Sequence, residues 1–354
     1  MTISDVARRA GVSKGLVSLA LNNRYGVSLA TRARILQAAT DLDWRPSQAA
    51  RALTHDRAYA MGFVLARPAE LLAADPFFPA FIAGVEAELS ARHSALVLQV
   101  VPSVDAELEA YRQLAAHRRV DGVLVADLRV GDPRPGFLTG MGLPAVTLGR
   151  PQGRRLCPAA VLDDRPGVVE AVEYLAGLGH DQIAFVGGPE EFLHAQHRRD
   201  AWRATLDHIG LRPGPVVDGD FSGASGAEAM ARLLELPIHR RPTAVVYAND
   251  LMAVAGIFEA IRSGVRVPEE LSVVGFDDIA VAAHIHPPLT TVGQDALAWG
   301  RSATQALLDL VEHGADHDVE LPPARLIVRG STAAPAGRPL PRGRSRSPRT
   351  RRES

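Results

Sequence analysis

Short apolar runs alternate with amphipathic segments through most of the chain. The apolar runs predict strands at Tyr59–Ala66, Ala95–Val101, Gly122–Ala126, Ala145–Leu148, Gln182–Gly187, Ala244–Tyr247 and Leu271–Phe276. Segments with helical periodicity lie between them, at Phe78–Arg92, Ala106–His117, Pro166–Leu178, Arg198–Ile209, Gly226–Leu236 and Leu251–Ser263. This alternation predicts an α/β fold with parallel sheets covered by helices on both faces. About 270 residues of the pattern exceed what one such sheet holds comfortably, so we expect two lobes with a ligand crevice between them.

The first 57 residues have a different pattern, which predicts three short helices. The first covers Ile3–Ala10 and the second covers Lys14–Leu21, and the third begins near Ser28. A three-residue turn, Gly11-Val12-Ser13, joins the first two helices, and Ser13 can cap the second. Two helices joined in this way are typical of a helix-turn-helix, whose second helix enters the major groove of DNA, although other three-helix bundles share the pattern.

The composition excludes several classes of protein. The chain has 354 residues, 47% of them apolar, and its single cysteine rules out a disulfide framework and a cysteine-based zinc site. Uncharged apolar runs of 18 residues are absent and the start is polar, so we expect no membrane span, no signal peptide and a cytoplasmic location. Lys14 is the only lysine, and without a Gly-Lys pair the chain has no Walker A loop.

Charge is distributed unevenly, although 39 basic and 40 acidic residues nearly cancel overall. Residues 1–60 contain nine basic and four acidic residues, and residues 335–354 contain seven arginines and one glutamate. The segment between them is acidic. This arrangement indicates that the ends of the chain meet a polyanion. The last twenty residues are also rich in proline, serine and glycine, and this composition predicts a disordered tail.

The amino-acid sequence of the head and the body resembles that of the LacI/GalR family of repressors. The matching phrases, in the family's order, are Thr2-Ile3-Ser4-Asp5-Val6-Ala7, Ala49-Ala50-Arg51-Ala52-Leu53, Asp75-Pro76-Phe77-Phe78, Arg119-Val120-Asp121-Gly122, Leu178-Gly179-His180, Asn249-Asp250, Gly275-Phe276-Asp277-Asp278 and Pro288-Leu289-Thr290-Thr291. The resemblance implies a DNA-binding head at residues 1–57 and a two-lobed effector-binding and dimerisation domain at residues 58–334, related to periplasmic sugar-binding proteins. It also implies a homodimer on a palindromic operator.

The resemblance assigns DNA contacts to the second helix and to a hinge helix at about residues 47–53. The expected contacts are Ser13, Lys14, Gly15, Ser18, Leu19, Asn22, Arg51 and Leu53. Lys14 is the main candidate for reading bases, because Leu19 stands where many family members carry a base-reading arginine. The hinge is short and follows Pro46, so we expect it to fold only when paired with its twin over DNA. There Leu53 would wedge into the minor groove; the alternative is a leucine packed on the body.

The resemblance also assigns contacts with the effector. The expected residues are Phe77, Phe78, Arg198, Phe221, Asn249 and Asp277. Arg198 can donate to two neighbouring hydroxyls, a carboxylate or a phosphate, or it can be a surface arginine. Asn249 can equally cap the following helix, Asp277 can shape a turn, and the phenylalanines can be core residues. Gly149 stands where many family members have an aspartate, which leaves the exact effector open.

The residues therefore predict a transcriptional repressor without catalytic residues, cofactor or metal site. A sugar is the expected effector; a purine or sugar phosphate acting as co-repressor is the alternative, and a freestanding sugar carrier is a further one. An enzyme is disfavoured because Gly223-Ala224-Ser225-Gly226-Ala227 lacks the final glycine of a nucleophile elbow. His284 and His286 have no further metal ligands nearby in the sequence.

Overall fold

The structure is a computed structural model that describes residues 1–21, 25–44 and 57–335. It divides into two compact units, with the boundary between Tyr59 and Ala60. Some of the sequence predictions fall outside the described residues: the contact by Asn22, the hinge helix with its contacts Arg51 and Leu53, and the tail beyond residue 335.

The head contains three helices, α1 (Ile3–Ala10), α2 (Lys14–Leu21) and α3 (Leu29–Asp41). Helix α1 begins with a capping box between Thr2 and Asp5 and ends at a glycine in the left-handed conformation. Ser13 Oγ accepts a hydrogen bond from the backbone N–H of Leu16 at the start of α2, 3.2 Å away. A small core holds the three helices together; its fully buried members are Val6, Val17 and Ile35.

The first lobe of the body is built around a six-stranded parallel sheet. Its strands are β1 (Ala60–Ala66), β2 (Ala95–Val101), β3 (Gly122–Val125), β4 (Ala145–Leu148), β5 (Ala159–Val161) and β11 (Val319–Glu320). They lie in the order β11-β5-β4-β3-β1-β2. The helices of this lobe are α4 (Ala69–Ala74), α5 (Phe77–Ala91), α6 (Val104–Ala116), α7 (Arg134–Gly140) and α12 (Ala296–His313).

The second lobe repeats this plan with one antiparallel strand. Its strands are β6 (Ile183–Gly187), β7 (Val216–Asp218), β8 (Ala244–Tyr247), β9 (Ser272–Asp277), β10 (Thr290–Gly293) and β12 (Arg325–Ile327), in the order β12-β10-β9-β8-β6-β7. Only the β10–β12 pair is antiparallel among these. The helices are α8 (Arg165–Gly177), α9 (Leu193–His208), α10 (Gly223–Leu234) and α11 (Asp250–Arg262). Both lobes and the α/β class agree with the sequence prediction.

The chain crosses between the lobes three times, after β5, β10 and β11. All three crossings lie at one edge of each sheet, next to β11 and β5 in the first lobe and next to β12 and β10 in the second. The two lobes are therefore connected covalently along this side of the crevice. At the other side the lobes touch through backbone hydrogen bonds: Leu193 N–H donates to Leu128 O at 2.8 Å, and Val130 N–H donates to Glu191 O at 3.0 Å. The crevice is therefore closed in this structure, with its mouth on the side of β1, β6 and β7.

Candidate functional site

A cavity of about 110 Å³ lies in the crevice between the two lobes. We call it the inner pocket. The six effector contacts expected from the sequence all line it: Phe77, Phe78, Arg198, Phe221, Asn249 and Asp277. Residues that the sequence reasoning did not select as site residues also line it, among them Arg67, Asp75, Asp127, Asp164, His194, Gln294 and Trp299. Most of these residues follow the carboxyl ends of parallel strands, where the crevice of an α/β fold is formed.

Arg198 lies on α9, which begins at Leu193, five residues before the start that the sequence pattern predicts. Its Nε donates to Asp164 Oδ2 at 3.0 Å, and its Nη1 donates to the backbone oxygen of Ala248 at 2.6 Å. The guanidinium carbon stands 3.5 Å from the centre of the Phe276 ring. Arg198 is only 6% exposed, so it is not a surface arginine. These contacts fix the side chain from three directions before any ligand arrives.

A second buried arginine, Arg67, lies at the end of β1. Its Nε and Nη2 donate to the two oxygens of Asp127 at 2.6 and 2.7 Å, which is the bidentate geometry of a strong ion pair. Burial opposes ionisation of Asp127, but the charge and hydrogen bonds of Arg67 outweigh it and lower the pKa of Asp127 to about 2. The rings of Phe78, Phe192 and Phe221 stand 5.1, 5.1 and 5.4 Å from the guanidinium carbon.

Two further buried carboxyl groups, those of Asp75 and Asp277, have fewer partners that would stabilise their charged form. Burial raises the pKa of Asp277 well above its ordinary value, and burial also raises the pKa of Asp75. Gln294 donates to Asp277 Oδ1 at 2.6 Å, and Asp75 Oδ2 lies 4.0 Å from Arg67 Nη1. The uncharged form of both carboxyl groups is therefore favoured more than in water, and in that form a carboxyl group can donate as well as accept a hydrogen bond.

Phe221 is held in an unusual conformation beside the pocket. Its φ is 70°, in the left-handed region, and its backbone oxygen accepts a hydrogen bond from Asn249 Nδ2 at 3.0 Å. Asn249 Oδ1 meanwhile accepts from the backbone N–H of Met252 and caps α11. Gly188 makes room for the ring, since a Cβ there would lie 2.1 Å from Phe221 Cζ. Asn249 thus caps a helix and also positions an aromatic wall.

Aromatic rings form much of the remaining pocket wall. The ring of His194 is nearly parallel to that of Phe221, with centroids 5.4 Å apart. Burial lowers the pKa of His194 to about 3, and Arg198 adds to this effect, so the imidazole is neutral near pH 7. Phe77 meets Trp299 edge to face at 6.0 Å. Flat apolar faces beside fixed polar groups suit a ligand with both kinds of surface.

The charges in the inner pocket largely compensate one another. Of its lining arginines, Arg67 is paired with Asp127 and Arg198 with Asp164, and Arg150 is paired outside the cavity with Asp318 and Glu320. An anionic ligand would therefore find no unmatched arginine among the described lining residues. Hydroxyl groups would find several fixed donors and acceptors.

The head presents the expected DNA-contact residues on and beside α2. Ser13, Lys14 and Gly15 are exposed, and Ser18 and Leu19 are half-buried. Together they form a continuous surface at the beginning and along one side of the helix. The structure does not describe Asn22, Arg51 or Leu53, so their roles stay predictions.

The described residues offer neither a metal-binding cluster nor a membrane-spanning helix. No cluster of three or more histidine, cysteine, aspartate or glutamate side chains within residues 1–21, 25–44 and 57–335 could hold a metal ion. Within the same residues, no helix is long and apolar enough to cross a membrane.

A helix-turn-helix unit followed by a two-lobed body with a closed central pocket defines a class of ligand-responsive DNA-binding regulators. Comparison with known proteins identifies the family. Residues 2–47 match bacterial regulatory proteins of the lacI family, and residues 172–332 match the periplasmic binding protein-like domain. The chain belongs to the LacI family of transcriptional regulators, and its relatives are regulators rather than enzymes.

Individual relatives cover nearly the whole chain. The HTH-type transcriptional regulator CelR of Thermobifida fusca is 35% identical over 337 residues, which are 93% of this chain and 98% of CelR. A solved CelR–cellobiose complex is similar, with a TM-score of 0.71 and 33% identity over 94% of this chain and 99% of that one. The Lac repressor dimer bound to operator and the anti-inducer ONPF has a TM-score of 0.82 and 28% identity, with the same two coverages.

Proposed function

We propose that this protein is a cytoplasmic repressor that binds a palindromic operator as a homodimer and is controlled by a neutral carbohydrate. The family membership supports the regulatory role, and of the two solved relatives CelR is in complex with cellobiose and the Lac repressor is a dimer bound to its operator. What favours a neutral carbohydrate for this chain is the pairing of both buried pocket arginines with aspartates.

The proposed DNA contact begins at α2. Lys14 would read base edges in the major groove, and Leu19 would touch a thymine methyl. Ser13 and Ser18 would donate to phosphates, which fixes the register without reading sequence. Gly15 leaves room for close approach of the helix to the duplex, and Asn22, Arg51 and Leu53 complete the proposed contact outside the described residues.

Exposed apolar side chains on the body support the proposed dimer. On the edge strand β2, Leu98 and Val100 are 41% and 42% exposed, and in the second lobe Phe258 and Ile261 on α11 are 69% and 48% exposed. Exposed apolar groups of this size on both lobes are typical of a protein interface. Phe258→Glu should produce monomers in light scattering, whereas an unchanged dimer would remove α11 from the proposed interface.

The carbohydrate proposal follows from how the inner pocket would treat competing ligands. A sugar presents C–H faces to the Phe221 and Trp299 rings and hydroxyl groups to Arg198, Asp277 and Gln294. A sugar phosphate would bring two negative charges into a buried pocket whose two buried arginines are already paired with aspartates, so no unmatched arginine would receive them. A purine could stack on the rings but would leave most of the polar groups unpaired.

A thermal-shift screen tests this choice directly. The panel should contain neutral monosaccharides and disaccharides, their phosphates, and purine bases and nucleosides. A ligand at 100 times its dissociation constant stabilises the folded state by about 2.7 kcal/mol, which gives a clear shift. We expect a neutral saccharide to shift the melting temperature and its phosphate to have no effect. A shift with only phosphates or only purines would refute the proposal and favour the co-repressor alternative.

A further inference from the structure

A second cavity lies beside the inner pocket, at the mouth of the crevice, and has a volume of about 450 Å³. We call it the outer chamber. It is bounded by Leu71 and Ala74 of the first lobe and by Pro189, Phe192 and Leu251 of the second. Its walls come from segments that follow β1, β6, β7 and β8, on the side opposite the three crossings. A ligand in the inner pocket that extended toward solvent would enter this chamber.

Arg67 and Phe221 line both cavities and form the boundary between them. Arg67 gives Nε and Nη2 to Asp127, and its Nη1 makes no hydrogen bond with any described residue. This nitrogen lies 4.0 Å from Asp75 Oδ2, and it belongs to a side chain that lines both cavities, so it is free to donate to a ligand there. It can reach an oxygen that connects two ligand groups, one in each cavity, because the guanidinium is already held by its carboxylate and by three aromatic rings.

The lining of the outer chamber has the same two features that suit a sugar. Its apolar part includes the rings of Phe192 and Phe221, which are 6.4 Å apart and inclined by only 28°. Its polar part is acidic, with the exposed residues Glu70, Glu191 and Asp220 at the rim. Neither glutamate side chain forms an ion pair within the described chain. Carboxylates accept hydrogen bonds from hydroxyl groups and repel anions, so the chamber favours a neutral polyhydroxyl group.

We propose that the outer chamber is a second sugar subsite, so that the effector is a neutral oligosaccharide of at least two rings. One ring would lie in the inner pocket and the next in the outer chamber, with Arg67 Nη1 donating to the link between them. This inference rests on the proposed carbohydrate function and adds the length of the ligand to it. It also assigns Arg67 as a specificity-determining residue for ligands that cross the boundary.

The test measures affinity as a function of ligand length in the full-length protein. Isothermal titration would use glucose, cellobiose and cellotriose, and in parallel glucose, maltose and maltotriose. In the series that binds, we expect the disaccharide to bind at least about tenfold more tightly than glucose. A filling substitution, Ala74→Phe, should remove most of this advantage and leave the affinity for glucose unchanged. Ala73→Phe is the matched control, since Ala73 is exposed on the same helix and lines neither cavity.

The outcomes separate this inference from the proposed function. If glucose and the disaccharide bind equally well, or if Ala74→Phe weakens both to the same degree, the outer subsite is refuted while carbohydrate binding stands. If no neutral saccharide from the thermal-shift panel binds the unaltered protein, the proposed function itself fails, and the subsite fails with it. Thermal unfolding of both alanine variants, followed by circular dichroism, checks that the substitution leaves the body folded.

Discussion

Replacing Arg198 should affect stability and ligand response by different routes, and the two can be separated. Arg198→Met keeps much of the side-chain volume but removes the charge beside Asp164, whose side chain is only 9% exposed. It also removes the donor to Ala248 O at 2.6 Å. Removing one partner of a buried ion pair typically costs about 3–5 kcal/mol, because the other charge is left buried and unpaired. We therefore expect a loss of about 3 kcal/mol or more in the free energy of unfolding.

A second variant, Arg198→Met with Asp164→Asn, removes both charges at once. Replacing a buried ion pair by neutral groups of similar volume is often close to neutral for stability, so most of the loss should be recovered. Ala248 O still lacks its donor, which should leave a residual cost of about 1–3 kcal/mol. Ligand binding should not return, because Arg198, which is proposed to contact the hydroxyl groups of the ligand, is still absent.

Urea unfolding and ligand titration on both variants provide the assay. The single variant should be the least stable, the double variant should be more stable than it but still about 1–3 kcal/mol below the parent, and neither should respond to the saccharide that stabilises the parent. Operator binding by the double variant should be nearly that of the parent, since α2 is unaltered. If the double variant binds the saccharide as the parent does, Arg198 has no part in recognition. If the single variant is as stable as the parent, the ion pair is not buried as described.

Three further predictions concern the rest of the body and the head. Burial raises the pKa of Asp250 to about 7, above the value of about 3.9 in an unfolded chain, so the folded state holds this proton more tightly. Its contribution to stability should fall as the pH rises from about 4 to about 7, and urea unfolding of Asp250→Asn should show a flatter pH dependence. Gly188→Ala should displace the Phe221 ring and weaken saccharide binding about tenfold or more in titration. Gly187→Ala is its control, because a Cβ there meets only ordinary contacts. Lys14→Ala should weaken specific operator binding by about 1–3 kcal/mol and relax preference at one base pair in a fluorescence anisotropy assay.

The fold was predictable from the sequence where strands and helices are long and regular. The strand candidates correspond to β1–β4, β6, β8 and β9, and most of the helix ends differ by one to three residues. The pattern did not predict β5, β7, β10, β11 or β12. Four of these strands have only two or three residues and β10 has four, so they carry few positions to show an alternation. It also left out the 18-residue α12, although its hydrophobic face packs against α5.

The six predicted effector contacts lie at positions that match the family's motifs. Other residues that line the inner pocket, such as Arg67 and Asp127, lie outside these motifs, and the sequence analysis does not identify them. Arg67 and Asp127 come directly after the predicted strands Tyr59–Ala66 and Gly122–Ala126, just as Asp277 comes directly after Leu271–Phe276, and all three line the inner pocket. A rule that selects charged residues at the ends of parallel strands would have found them. No sequence signal pairs Arg67 with Asp127 across 60 residues, or Arg198 with Asp164, because these contacts depend on the packing of separate strands and helices.

Fluorescence anisotropy can measure whether a neutral saccharide controls operator binding. The full-length protein would first select its operator from a random duplex pool, and the dissociation constant for that duplex would then be measured with and without the saccharide identified by thermal shift. We expect the saccharide to change this dissociation constant by at least about tenfold, equivalent to a coupling free energy of about 1.4 kcal/mol, and to leave it unchanged in the Arg198→Met, Asp164→Asn variant. If a saccharide binds in the inner pocket of the unaltered protein and the operator affinity stays the same, the saccharide does not control operator binding.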